Sequence, residues 1–78
     1  MKEDNKEMRE KIRQNLIELR NESGLTQSDV GILVGKSANA VASWEQGLSL
    51  PDVVTLYKLA QHYNKSIDYM YTGGDAYD

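Results

Sequence analysis

Thr26-Gln27-Ser28-Asp29-Val30-Gly31-Ile32-Leu33-Val34-Gly35-Lys36-Ser37-Ala38-Asn39-Ala40-Val41-Ala42-Ser43-Trp44-Glu45-Gln46-Gly47 is the stretch that decides the fold. Its spacing predicts two short helices held at a sharp, fixed angle. Thr26 can accept the backbone N–H of Asp29 while the Asp29 carboxylate reaches back, a reciprocal cap that starts the first helix. Val30 and Val34 share that helix's buried face. Gly35 supplies a left-handed residue that ends it without a Cβ clash, and Ser37 caps the next helix after a short turn. Gly31 costs about 1 kcal/mol relative to alanine inside a helix. Its presence there makes sense if another helix backbone approaches closely. Val41 and Trp44 form the buried face of the second helix.

Upstream, Met8, Ile12, Leu16 and Leu19 recur at helical spacing, and Gly24 followed by Leu25 supplies a stop with an apolar residue just beyond it. A first helix is therefore expected from the Lys6 region to Glu22. Downstream of the opening block, Gln46 to Leu50 reads as a loop. Pro51 cannot continue a helix, whereas Asp52 is a good N-cap for a fourth helix whose Val53, Leu56, Leu59, Ala60 and Tyr63 fall at helical spacing. After Asn64-Lys65, Ser66 caps a short fifth helix with Ile67 and Met70 pointing inward, before Gly73-Gly74 and a polar tail. The expected architecture is an all-α, compact five-helix bundle. Its central pair is a helix-turn-helix, and a second helix exposed on one side is a shape that fits the major groove of DNA.

A chain of 78 residues makes one domain, 1–78, with a core from about 8 to 72 between polar tails. Without cysteine there is neither a disulfide framework nor a thiolate metal site, and the single His62, read as a solvated residue on the fourth helix, cannot build an imidazole cluster. No apolar run approaches a membrane span and the charged stretch from Met1 to Arg13 has no signal-peptide core, so a cytoplasmic location is expected. The net charge of −3 argues weakly against nucleic acid, because domains that bind it usually carry a basic surplus.

From Ile12 to Gly73 the chain resembles the phage-repressor and Cro type helix-turn-helix family, also called the xenobiotic-response-element family. The resemblance rests on Leu19-Arg20, Gly24-Leu25-Thr26-Gln27, the Gly35 turn, Trp44-Glu45-x-Gly47, Pro51, Leu56-x-x-Leu59-Ala60 and Ser66-Ile67-Asp68-Tyr69-Met70. Several independent signals in one order are more specific than a lone turn motif. The resemblance implies a lambda-repressor-like bundle and a sequence-specific, double-stranded-DNA-binding transcriptional regulator, a Cro-like repressor that docks its third helix in the major groove. It also implies an ion pair between Arg20 and Glu45, both on faces that the apolar spacing turns toward the core.

The same resemblance assigns DNA contacts to Gln27, whose amide is expected to meet the backbone or an adjacent base at the start of the second helix, where free N–H groups favour a phosphate, and to the third helix. Lys36, Ser37 and Gln46 flank that helix. Ala38, Asn39, Ala40 and Ser43 occupy its expected exposed face, where Asn39 matches adenine N6 and N7, Ser43 suits several base edges and an alanine meets a thymine methyl. Lys36 is the only basic residue between Asn21 and Leu50, and the loop after Gly47 carries none where family members often do. The remaining phosphate contacts then fall to Arg13 or Lys11, Gln46, Ser49 and backbone N–H groups. One short helix covers few base pairs, so a homodimer on DNA is expected, pairing weakly through Tyr69 and Tyr71 near the end of the fifth helix.

Leu33 is read as closing the core on the side facing the fourth helix. Ile32 has no inward role, which is ordinary for a scattered surface aliphatic. The rival from a different class is a protein-interaction adaptor that keeps the fold and uses Ile32, Leu33 and an acidic surface to hold a protein partner. No nucleophile, base and metal-ligand constellation supports an enzyme, and neither a cofactor nor a small-molecule ligand is expected.

Overall fold

Short polar caps set where each of the last four helices begins. The computed structural model describes residues 2–74, with side chains from residue 5 onward. In chain order the helices are α1 (Lys2–Glu22), α2 (Gln27–Val34), α3 (Ala38–Gln46), α4 (Val53–His62) and α5 (Ile67–Thr72). Thr26 Oγ1 accepts the Asp29 N–H at 3.0 Å while the Thr26 N–H donates to Asp29 Oδ2 at 2.9 Å, the expected reciprocal cap. Ser37 Oγ accepts the Ala40 N–H at 3.0 Å, Asp52 Oδ1 the Thr55 N–H at 2.8 Å, and Ser66 Oγ the Tyr69 N–H at 3.1 Å. Each cap satisfies an N–H that has no partner inside its helix.

Between α2 and α3, Gly35 takes φ 73° and the Lys36 N–H donates to the Gly31 carbonyl at 2.8 Å, closing the turn. The close approach at Gly31 is real, but its partner is this turn and not another helix. A Cβ at that position would run into the backbone of Lys36 and Ser37.

The core gathers Ile12, Leu16 and Leu19 of α1, Val30 and Val34 of α2, Val41 and Trp44 of α3, Leu56, Leu59 and Ala60 of α4, and Met70 of α5. Leu25 and Tyr63 pack on it. Four expected inward positions lie elsewhere. Met8 is exposed, because α1 starts at Lys2, earlier than the Lys6 region, and its first core residue is Ile12. Residues 2–7, expected within a polar N-terminal tail, are thus helical, while the polar C-terminal tail at 75–78 lies outside the described residues. Val53 is exposed because the buried stripe of α4 is Thr55, Leu56, Leu59 and Ala60. Ile67 stays at the rim of a six-residue helix whose inward position is filled by the fully buried Met70. Leu33 is exposed, to the side of the stripe formed by Val30, Gly31 and Val34.

Asn15 is a buried polar residue whose role the periodicity alone did not reveal. Its Nδ2 donates to the carbonyls of Met70 at 3.0 Å and Tyr69 at 3.3 Å, tying the middle of α1 to the last turn of α5. The signal was present: an amide three residues after Ile12 and four before Leu19 sits on an apolar stripe and must find partners there. Among the described residues no helix is long and apolar enough to cross a membrane.

Candidate nucleic-acid interface

The inner side of α3 fixes where its outer side can point. Val41 and Trp44 anchor it in the core, and Glu45, 8% exposed, is a polar hub beside them. Arg20 Nε donates to Glu45 Oε2 at 2.7 Å and Arg20 Nη2 to Glu45 Oε1 at 3.0 Å, a two-pronged pair across α1 and α3. Arg20 Nη1 donates to the Leu25 carbonyl at 2.9 Å, bringing in the loop before α2. Gln27 Nε2 donates to Glu45 Oε1 at 3.0 Å and Arg13 Nη1 to the Glu45 main-chain carbonyl at 3.0 Å. Helices α1, α2 and α3 therefore meet on one residue. Burial alone would raise the Glu45 carboxyl, but the hydrogen bonds from Arg20 and Gln27, together with the Arg20 charge, outweigh it and hold the group below the usual carboxylate range.

The bond from Gln27 adds a structural part to that residue. One of the two N–H groups of its side-chain amide goes to Glu45. The side chain positions α2 against α3.

On the outer side, Ala38 and Asn39 are exposed, as expected; the flanking Ser37 and Gln46 are exposed too, Gln46 as the last residue of α3 and not in the loop expected from Gln46 to Leu50. Two of the residues expected beside them are not exposed. Ala40 lies four residues before Trp44, on the same side of the helix, and packs half-buried against the core. Ser43 is half-buried and its hydroxyl shares a hydrogen bond of 2.8 Å with the Ser49 hydroxyl, which fastens the loop after α3 back onto the helix. The exposed surface is concentrated at the N-terminal end of α3, with Gln46 apart at the other end.

Lys36, in the turn, places Nζ 3.5 Å from Asp52 Oδ2, with the two side chains 41% and 58% exposed. Such an exposed pair stabilises little and opens readily. Asp52 is held below the ordinary aspartate range first by the Thr55 main-chain N–H and less by Lys36. Tyr69 and Tyr71 are half-buried against the core, and Lys65 Nζ lies 4.6 Å from the centre of the Tyr69 ring. Ile32 is 77% exposed. Among the described residues no group of three His, Asp or Glu side chains is placed to hold a metal ion.

A capped α2, a left-handed glycine turn and an α3 presenting one free side define a helix-turn-helix domain, and the chain belongs to that family. The family model described as Helix-turn-helix matches residues 16–70, from the middle of α1 to the buried methionine of α5. The chain is 44% identical over 55 residues to the uncharacterized HTH-type transcriptional regulator y4dJ of Sinorhizobium fredii (strain NBRC 101917 / NGR234), a stretch covering 70% of this chain and 71% of that protein. No solved structure matches.

Proposed function

We propose that this chain is a sequence-specific, double-stranded-DNA-binding transcriptional regulator, a repressor that inserts α3 into the major groove. The observation that carries the reading is the exposed Ser37-Ala38-Asn39 end of a helix whose other side is fixed by Trp44 and the Arg20–Glu45 pair. A recognition helix reads bases with its N-terminal residues, and the small Ala38 lets the Asn39 amide come within reach of an adenine edge. Membership of the helix-turn-helix family and the transcriptional regulator among its relatives support the same reading. Ser43 and Ala40 act from the flank, Ser43 through a hydroxyl shared with Ser49. The protein acts as a homodimer on DNA, the exposed edges of Tyr69 and Tyr71 forming a small interface, so that the two α3 helices fall about 34 Å apart along one face of the duplex.

A second reading, the protein-interaction adaptor, is favoured by the exposure of Ile32 and the net charge of −3. Selection of binding sites from random duplexes separates the two. The regulator enriches a palindrome with half-sites one helical turn apart, whereas the adaptor enriches none.

A further inference from the structure

A protein of net charge −3 that binds DNA must hold its positive charge where the phosphates are. Little of it lies at the helix-turn-helix itself. The loop from Gly47 to Leu50 has no Lys or Arg, and Lys36 faces Asp52 at 3.5 Å. Six of the nine basic residues, Lys2, Lys6, Arg9, Lys11, Arg13 and Arg20, instead lie in α1. Arg20 is taken by Glu45 inside the fold. Lys6, Arg9 and Arg13 are spaced i, i+3 and i+7, which places them on one stripe of the helix.

That stripe has a definite neighbour. Lys6, Arg9 and Arg13, with Asn5 and Glu10, line an open groove of about 390 Å³ whose other wall is Gly47, the residue that ends α3. Arg13 joins the two walls: its Nη1 holds the Glu45 carbonyl at 3.0 Å, and a Cβ at Gly47 would sit 3.4 Å from its Cδ. Arg13 is also paired with Glu10, its Nε donating to Glu10 Oε1 at 3.1 Å, so it braces the groove while Lys6 and Arg9 remain exposed along it. When the N-terminal residues of a recognition helix enter the major groove, its C-terminal end emerges toward the phosphates that bound the groove. The stripe lies beside that end.

We propose that Lys6 and Arg9, on the part of α1 that precedes its first core residue, contact the phosphates bordering the major groove at the C-terminal end of α3, and that Arg13 fixes the groove in which they do so. The inference rests on the DNA-binding reading above. It assigns the counterion-releasing contacts to an early part of α1 that precedes the residues matched by the family model, which begin at 16.

The test is duplex binding across a salt series, on both a selected site and random DNA. Each phosphate contact contributes about 0.9 to the slope of log affinity against log salt. The double variant Lys6→Gln/Arg9→Gln should therefore lower the slope by about 2 per protomer, about 4 for the homodimer proposed above, and weaken selected and random duplexes alike. Lys58→Glu changes the net charge by the same two units on the exposed side of α4, and should leave the slope unchanged. Equal effects of Lys58→Glu and the double variant would reduce the role of α1 to net charge and overturn the proposal. So would a Lys6→Gln/Arg9→Gln variant that keeps the wild-type slope while still preferring the selected site, a result that leaves the DNA-binding reading standing. Wild-type protein that binds no duplex even at low salt would defeat the reading itself and this proposal with it.

Discussion

The two sides of α3 are built on opposite terms. The inner side is saturated: Val41 and Trp44 are buried, and both oxygens of the Glu45 carboxylate and its main-chain carbonyl all accept hydrogen bonds from other parts of the fold. At the N-terminal end of the outer side, Ser37, Ala38 and Asn39 are exposed, and the one side-chain bond there is the Ser37 cap. The contrast teaches that the side which fixes the helix and the side left open are separated by about half a helical turn. A helix only nine residues long is too short to hold itself in water, so its orientation is set by what its inner side grips. Changes on the inner side should therefore act on stability, and changes at the N-terminal outer end on binding.

The largest effect is expected at the ion pair. Arg20→Met leaves the Glu45 carboxylate buried with its two strongest donors gone, and should cost about 3 kcal/mol; 17% exposure of the Arg20 side chain puts it at the lower end for a broken buried pair. Arg20→Met combined with Glu45→Leu should be more stable than Arg20→Met alone. Denaturant midpoints followed by Trp44 fluorescence report both. Simple additivity of the two changes would mean the pair is not coupled, and the inner side would lose its claim to orient α3.

A smaller effect sharpens the same point through pH. The Glu45 carboxyl is depressed in the folded protein, so its contribution to stability is complete above the ordinary glutamate value of about 4.3 and is lost as pH falls through the lower folded-state value. Glu45→Gln should lie below the wild type near neutrality, and the two stability curves should converge as the solution is acidified. Asp29 and Asp52, depressed chiefly by the main-chain N–H groups they cap, titrate in both proteins and give both curves an acid limb. Parallel curves would show that the network contributes nothing through the Glu45 charge.

How much of this was legible beforehand follows the same division. The reciprocal cap of Thr26 and Asp29, the Gly35 turn, the caps at Ser37, Asp52 and Ser66 and the inward Val41 and Trp44 are local features, each decided by a few neighbouring residues, and the sequence shows them directly. The Arg20–Glu45 pair spans helices and came from resemblance. What the sequence did not show were contacts set by the meeting of distant segments. Gln27 reads only as a DNA contact until Glu45 is brought to it, and Ser43 reads as exposed until the loop places Ser49 against it. Helical spacing also overran its reach at element ends. Met8, Val53 and Ile67 fit the period of their helices, but lie where those helices leave the core, and a periodic pattern carries no information about where the partner surface stops.

The central claim is that the outer N-terminal end of α3 reads sequence, and Asn39→Ala tests it most directly. Asn39 is exposed, and its loss should change the unfolding midpoint by less than about 0.5 kcal/mol in stability. Affinities of the wild type and the variant are then compared on the selected duplex, on its single-base variants and on random DNA. The account predicts a loss of about 1–3 kcal/mol on the selected duplex, discrimination relaxed at one base position only, and unchanged binding to random DNA. Equal losses on selected and random DNA, or full discrimination retained at every position, would contradict it.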